Sequence, residues 1–384
     1  MQAKSIKGNS PETIQAALAQ SMTDGFKPTL AIVFLSIKQD RAAICTILGK
    51  EDIAIYGATT NGEFIDEELG KESVAILLLD IDKAHFTILL DDFNNKNYRD
   101  VSKALAEKAL QSFAHPAFLV SCSEISTDAE EVLHGFEEVI GEQVNVFGGL
   151  AGDDYNYTEQ FVFTNGKESN AGIVAVALNE EKIFIKGRAT CGWNAAGTTK
   201  TITKSEGRRV YTIDDVPALD ITAKFSGIKN VTEENKDLIM EMATNFPLQL
   251  QKENGASVMR PAYQINWDDH SYICSGLMPQ GSKVRFSLQP DFDVIEKVIQ
   301  ECELLKATEM PDADAVIVYS CAGRLISLGP LMANEIEGIK NVWKVPMVGF
   351  FSNAELARAT NGNLEMHNIT TCCVVLKERT PSAP

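Results

Sequence analysis

Three observations predict an α/β (or α+β) fold of duplicated strand-helix-strand units with mixed sheets, arranged as a two-domain chain. A strand, a small polar loop, a helix and a second strand occur three times. Each second strand ends in a glycine-led turn carrying carboxylate or amide groups. Each turn is followed by one more apolar strand, so a hairpin return adds an antiparallel partner to the sheet.

The elements follow in chain order. Ser10 caps a first helix, Pro11 fits its first position, and Ile14, Leu18 and Met22 space one apolar face. The first copy runs Leu30-Ala31-Ile32-Val33-Phe34-Leu35 into Ser36, then a helix, then Ile53-Ala54-Ile55-Tyr56 into Gly57-Ala58-Thr59-Thr60-Asn61-Gly62-Glu63-Phe64. The second runs Phe118-Leu119-Val120 into Ser121-Cys122-Ser123. A helix with Val132, Leu133, Phe136, Val139 and Ile140 on one face follows. Its second strand ends in Gly148-Gly149-Leu150-Ala151-Gly152-Asp153-Asp154-Tyr155. The third runs Ala315-Val316-Ile317-Val318-Tyr319 into Ser320-Cys321-Ala322-Gly323-Arg324 and returns through Val345-Pro346-Met347-Val348 to Gly349-Phe350-Phe351-Ser352-Asn353-Ala354-Glu355-Leu356. The return strands are 73–79, 173–178 and 370–376.

Between the second and third copies the texture changes. Short strands and a turn around Pro217 are expected in 201–220, a helix in 233–242, and several strands in 246–280 with a turn at Trp267-Asp268-Asp269-His270. The domain boundary is placed there, giving residues 1–235 and 236–384. The tail from 378 onward is expected to fray.

Composition excludes several classes. Lys and Arg total 35 against 53 Asp and Glu, a formal charge of −18. Nucleic-acid binding rests on clustered cations, so neither nucleic acid nor an anionic membrane is an expected partner. The start is polar and lacks the apolar stretch of a signal peptide, and no apolar run is long enough to span a bilayer. A cytoplasmic protein is expected. The eight cysteines form no C-x-x-C pair and read mostly as small buried residues. Cys372 and Cys373, adjacent in a strand, should face opposite sides of the sheet.

Ligands of α/β sheets sit beyond the carboxyl ends of strands. The groups that fall there are Thr60, Asn61, Glu63, Asp153, Asp154, Cys321, Arg324, Ser352, Asn353 and Glu355. Arg324 can fork onto a carboxylate, and Glu63 or Glu355 can hold an ammonium group, a set suited to a small zwitterion. No P-loop, G-x-S-x-G elbow or H-E-x-x-H motif occurs, so an enzyme is not expected. Cys321, at a strand end, is the one nucleophile position. A haem needs a single axial histidine, and His85, His115, His134, His270 and His367 are the five present.

The turn Gly57-Ala58-Thr59-Thr60-Asn61-Gly62-Glu63 resembles the signature of the FIST N-terminal domain, and Phe147-Gly148-Gly149-Leu150-Ala151-Gly152-Asp153 resembles its second glycine-rich signature. Gly192-Trp193 with Gly197, then Val210 through Asp214 to Pro217-Ala218-Leu219, is similar to its closing segment. Ser320-Cys321-Ala322-Gly323-Arg324, the turn from Pro346 to Glu355, and His367-Asn368-Ile369-Thr370 resemble the FIST C-terminal domain. The likeness spans roughly residues 28 to 376. It implies a sensory module that binds a small ligand, with amino acids the named candidates, and feeds histidine kinases, cyclic-di-GMP enzymes or chemoreceptors. No kinase, receiver or GGDEF segment is recognisable here, so a separate partner chain is expected to carry the output. A subset of such proteins binds haem b and senses nitric oxide for a partner histidine kinase, which is the first alternative. An enzyme using Cys321 or the loop carboxylates is the second.

Overall fold

A computed structural model describes residues 1–94, 96–123, 127–253, 256–288 and 290–379. The residues from 380 onward, where fraying was expected, lie outside this set. Glu378 belongs to the last strand.

The three copies are larger than their sequence signatures. The first comprises β1 (Ala3–Gly8), α1 (Pro11–Ser21), β2 (Leu30–Ser36), α2 (Arg41–Lys50), β3 (Ala54–Thr60), β4 (Glu63–Ile65), β5 (Glu68–Leu69) and β6 (Val74–Leu79). The second repeats that order. It comprises β7 (Phe86–Asp92), α3 (Tyr98–Leu110), β8 (Pro116–Cys122), α4 (Ala129–Ile140), β9 (Val146–Leu150), β10 (Val162–Phe163), β11 (Glu168–Ser169) and β12 (Gly172–Asn179).

The third copy is interrupted. After β13 (Ile183–Thr190) comes an inserted unit of β14 (Ala195–Glu206), β15 (Arg209–Ile213), β16 (Val216–Pro217), α5 (Ala218–Ser226), α6 (Leu238–Asn245), β17 (Leu248–Leu250), β18 (Val258–Arg260), β19 (Ala262–Asn266), β20 (Ser271–Cys274) and β21 (Lys283–Ser287). The copy then resumes with α7 (Asp293–Thr308), β22 (Ala315–Cys321), α8 (Ala322–Leu328), α9 (Met332–Trp343), β23 (Met347–Ser352), β24 (Glu355–Arg358), β25 (Leu364–His367) and β26 (Thr371–Glu378).

Each copy lends strands to the next. The three sheets have the orders β1-β6-β2-β3-β10-β11, β7-β12-β8-β9-β24-β25 and β13-β26-β22-β23-β4-β5. The pairs β2/β3, β8/β9 and β22/β23 are parallel, and the return strands are antiparallel, so all three sheets are mixed. The chain leaves β3 for β4, which pairs with β23. It leaves β23 for β24, which pairs with β9. It leaves β9 for β10, which pairs with β3. The exchange closes a ring with pseudo-threefold symmetry.

Alternation explains the core. Ile32, Phe34, Leu77, Leu119, Val176, Ile317, Tyr319 and Val374 turn inward to one central cluster shared by all three sheets. Val33, Leu35 and Ile76 turn outward under α1 and α2, Val120 and Ala175 under α3 and α4, and Val318 and Val375 under α7 to α9. Both faces of each sheet are buried, which is why these strands read as unbroken apolar runs. Cys372 points to the central cluster and Cys373 to the outer one, as the strand period requires.

The inserted unit carries its own sheet, β18-β17-β21-β14-β15-β20-β19, with β16 on β15, and its own apolar cluster beneath α5 and α6. The two units of the chain are therefore the three-copy core and this insertion. The expected boundary at 235/236 falls between α5 and α6, inside one cluster, while β4 and β13 from before it share a sheet with β22, β23 and β26 from after it. The helix expected over 233–242 begins at Leu238, and the turn at 267–270 is present. β1 and β13 were not anticipated, and the apolar strand expected around His85 begins at Phe86. Among the described residues no helix is long and apolar enough to cross a membrane.

Two glycines let exchanged strands close, and a third lets β9 lie close on β8. In the ring, Gly57 pairs with Phe163, Gly349 with Phe64, and Gly148 with Leu356. A Cβ on Gly57 or Gly349 would sit 2.2 Å from an aromatic ring, and one on Gly148 would sit 1.9 Å from the Val120 carbonyl oxygen. A backbone carbonyl inside a sheet cannot step aside as a side chain can. Gly148→Ala is expected to cost about 3 kcal/mol, whereas Gly166→Ala, with open space around it, should be near neutral. Urea unfolding midpoints of the two variants check this.

Candidate functional site

The structure gathers most of the sequence-singled residues, but it ties them to one another. Thr60 Oγ1 donates to Glu63 at 2.7 Å, and Ser352 Oγ donates to Glu355 at 2.7 Å, the same hydroxyl-to-carboxyl bond three residues apart in two copies. Asn61 Nδ2 donates to Asn353 Oδ1 at 2.8 Å, and Asn353 Nδ2 donates to the Ala151 carbonyl at 2.6 Å. Asn61 Oδ1 in turn accepts from the amides of Asp153 and Tyr155. The turns are thus locked together where β3, β9 and β23 end.

The remaining carboxyls hold structure. Asp153 is buried and accepts from the amides of Tyr157, Thr158 and Glu159 and from Gln160 Nε2, organising the 153–161 loop of the second copy. Asp154 accepts from Ser36 Oγ at 2.6 Å. Glu63 is satisfied by Thr60 and Ser73, and burial pushes its carboxyl up. Glu355 differs. Its Oε2 has no hydrogen-bond partner, and burial beside Cys321 pushes its carboxyl well up. Burial also pushes the Cys321 thiol up, away from the thiolate that a nucleophile needs.

Arg324 is fully committed. It is buried, its Nε and Nη2 fork onto Glu335 at 2.5–3.1 Å, and its remaining donors meet the carbonyls of Cys191, Val294 and Ile369. It also lies over the Trp193 ring. The expected carboxylate fork is used inside the protein.

An open site lies elsewhere. A cavity of about 250 Å³ opens between the second copy and the inserted unit, lined by Thr127, Asp128, Ala129, Glu130, Arg208, Ser275, Gly276, Leu277 and Met366. It sits where the chain passes from β8 to α4, beyond the carboxyl end of a parallel strand, the position open α/β sheets favour for ligands. At the start of α2 in the first copy, Arg41 pairs with Glu168 and lies over the Phe161 ring.

The cleft carries one unmatched polar group and two charged ones. Thr127 Oγ1 is buried without a partner. Asp128 caps α4 through the Glu131 amide, and burial with the neighbouring carboxyls pushes its own carboxyl up. Arg208 lies 5.9 Å over the Tyr263 ring and makes no ion pair among the described residues.

Behind the wall, Arg260 is fully buried. It pairs with Glu130 and donates to the carbonyls of Met259 and Met366, yet its Nε is unmatched. A Cβ on Gly276 would lie 2.5 Å from that Nε, so only glycine lets this wall pass over the guanidinium. Glu365 Oε2 is also unmatched, although Lys252 lies 3.2 Å from it.

A polar chain joins the cleft to the locked turns. Ser275 Oγ donates to Asn368 Oδ1 at 2.6 Å, and Asn368 Nδ2 reaches the Asn353 carbonyl at 3.4 Å. The turn residues therefore frame the cleft without lining it. The signals for the lining residues were present but weak: Asp128 before an amphipathic helix, and Arg208 in a turn of the insertion. Only the fold brings the two together.

Residues 29–216 match the FIST N domain and residues 218–358 match the FIST C domain. The chain belongs to the FIST family. FIST domains are sensory domains of signalling proteins. No curated protein matches the chain significantly.

None of the five histidines is among the residues that line this cleft. His85 lies in the turn before β7 rather than within a strand, and its Nδ1 is buried and unmatched. His115 is exposed near Glu181, His134 sits on α4 beside Arg99 and Glu131, and His270 pairs with Asp220. His367 is buried in β25, and its Nε2–H donates to the Ala357 carbonyl.

Two expectations follow from the buried charges. Glu335→Gln, which leaves Arg324 without a counter-charge, should cost about 3–5 kcal/mol in chemical unfolding. Burial, with Arg260 nearby, holds the His367 imidazole down to about 4. The unfolded chain takes that proton near pH 6.5, so the stability from neutral His367 is full above 6.5 and is lost as pH falls through about 4. His367→Gln should flatten the pH dependence of unfolding in that window, and an unchanged slope would contradict it.

Proposed function

We propose that this FIST chain is a sensor that takes a small polar ligand into the cleft between α4 and the inserted unit and signals through a separate partner protein. The observation that carries this reading is a pair of unmatched polar atoms at one cavity: Thr127 Oγ1 in its lining and Arg260 Nε behind its Gly276 wall. Buried polar groups without partners are costly, and a ligand or its water satisfies them.

An amino acid suits the dimensions and chemistry. Arg208 offers a fork for a carboxylate, Asp128 offers a countercharge, and Leu277 and Met366 offer apolar contact. The inserted unit is held to the core across this cleft by the Arg260–Glu130 and Lys252–Glu365 pairs and by Ser275–Asn368. Occupancy is therefore placed to alter how the two units sit, which is the change a partner histidine kinase or cyclic-di-GMP enzyme would read.

Haem binding with nitric-oxide sensing ranks second, since no histidine borders the cleft. The enzyme reading ranks third, because the Cys321 thiol is buried and held in its protonated form.

A thermal-shift screen of the twenty amino acids tests the first reading. One or more is expected to raise the melting temperature, and Leu277→Trp, which fills the cleft, is expected to abolish the rise. A rise that survives Leu277→Trp would refute the cleft. A Soret band that forms with added haem and moves with nitric oxide would favour the second reading.

A further inference from the structure

We propose that the cleft selects its ligand by a protonated amino group, held by Asp128, Glu130 and Thr127, rather than by a carboxylate. The inference rests on the cleft being the binding site and adds which end of the ligand decides affinity.

The charges around the cavity are uneven. Asp128 and Glu130 both line it, and Glu365 lies close enough to sense Arg260 and Glu130. Arg208 is the one cation in the lining, half-exposed and engaged with the Tyr263 ring. Arg260 has only its Nε left over. Its Nη1 is spent on two carbonyls and its Nη2 on Glu130, all behind the wall.

The acceptors match an ammonium in number. An ammonium has three donors and no acceptor. Asp128 spends one oxygen on the Glu131 amide, and its Oδ2 has no hydrogen bond among the described residues. Glu130 presents a carboxylate that Arg260 fixes from the far side. Thr127 Oγ1 is buried, unmatched and in the lining. Two carboxyl groups and one hydroxyl thus line the cavity from within four residues at the start of α4. A carboxylate entering the same corner would meet two like charges.

Arg260 is here a positioning residue. It is fully buried, so its charge demands a counter-charge, and Glu130 supplies it. Glu130 is thereby held at a fixed place in the wall before any ligand arrives.

The test uses the full chain and pairs of small primary amines and carboxylates matched in shape, beginning with 3-methylbutylamine and 4-methylpentanoate. Calorimetry and thermal shift are expected to detect the amines and not the carboxylates. Asp128→Asn, which keeps a helix cap, should weaken the amines by about tenfold or more, the worth of one charged hydrogen bond. Glu130→Gln should do the same, and the Asp128 variant keeps the test valid if the Glu130 variant fails to fold. Binding confined to carboxylates, binding by no amine, or amine binding indifferent to Asp128→Asn would overturn the proposal. Carboxylate binding abolished by Leu277→Trp would leave the cleft standing and sink only the amine assignment. Amine binding that survives Leu277→Trp would place the failure in the cleft itself.

Discussion

The backbone bonds of three lent strands organise this protein. β4, β24 and β10 each leave the sheet in which their copy began and complete the sheet of another. Because each sheet needs a strand from elsewhere in the chain, no copy can satisfy its own edge, and the three must close as a ring. The glycines at 57 and 349 let the lent strands β10 and β4 approach closely enough. The central cluster is a consequence, since three twisted sheets facing one axis have nowhere else to bury their inner side chains.

That ring explains why the conspicuous turns are not the ligand site. Strand exchange brings the three turns into contact, and groups in contact must satisfy one another. Asn61 and Asn353 bond across the junction, Thr60 and Ser352 bond their own glutamates, and Asp153 ties down its loop. A site for an outside molecule needs groups the ring leaves unmatched. Apart from Glu355 Oε2, which is fully buried in its turn, such a group occurs where the insertion meets the start of α4, at Thr127, beside Asp128 and Arg208.

Much of the core was legible in the sequence, and the reason is local. Apolar runs, the Ser10 cap and the glycine-led turns each depend on neighbours a few residues away, so they survive in linear order. The opening strands β1 and β13 were not legible. β1, as Ala3-Lys4-Ser5-Ile6-Lys7-Gly8, sits at a sheet edge with one partner, β6, and buries only Ile6. Arg324 was legible as a buried-strand-end arginine but not as the partner of Glu335, eleven residues on and in a different helix. The cleft was least legible, because Asp128 and Arg208 lie eighty residues apart in different units.

The most direct measurement is hydrogen–deuterium exchange on the full chain with and without a stabilising amino acid or amine. The account predicts slowed exchange in two separated stretches, the start of α4 from residue 127 and the segments around 208 and 275–277, with the turns at 60–63 and 352–355 already slow in both states. Slowing confined to those turns, or around Arg324, with the cleft segments unchanged, would contradict the account.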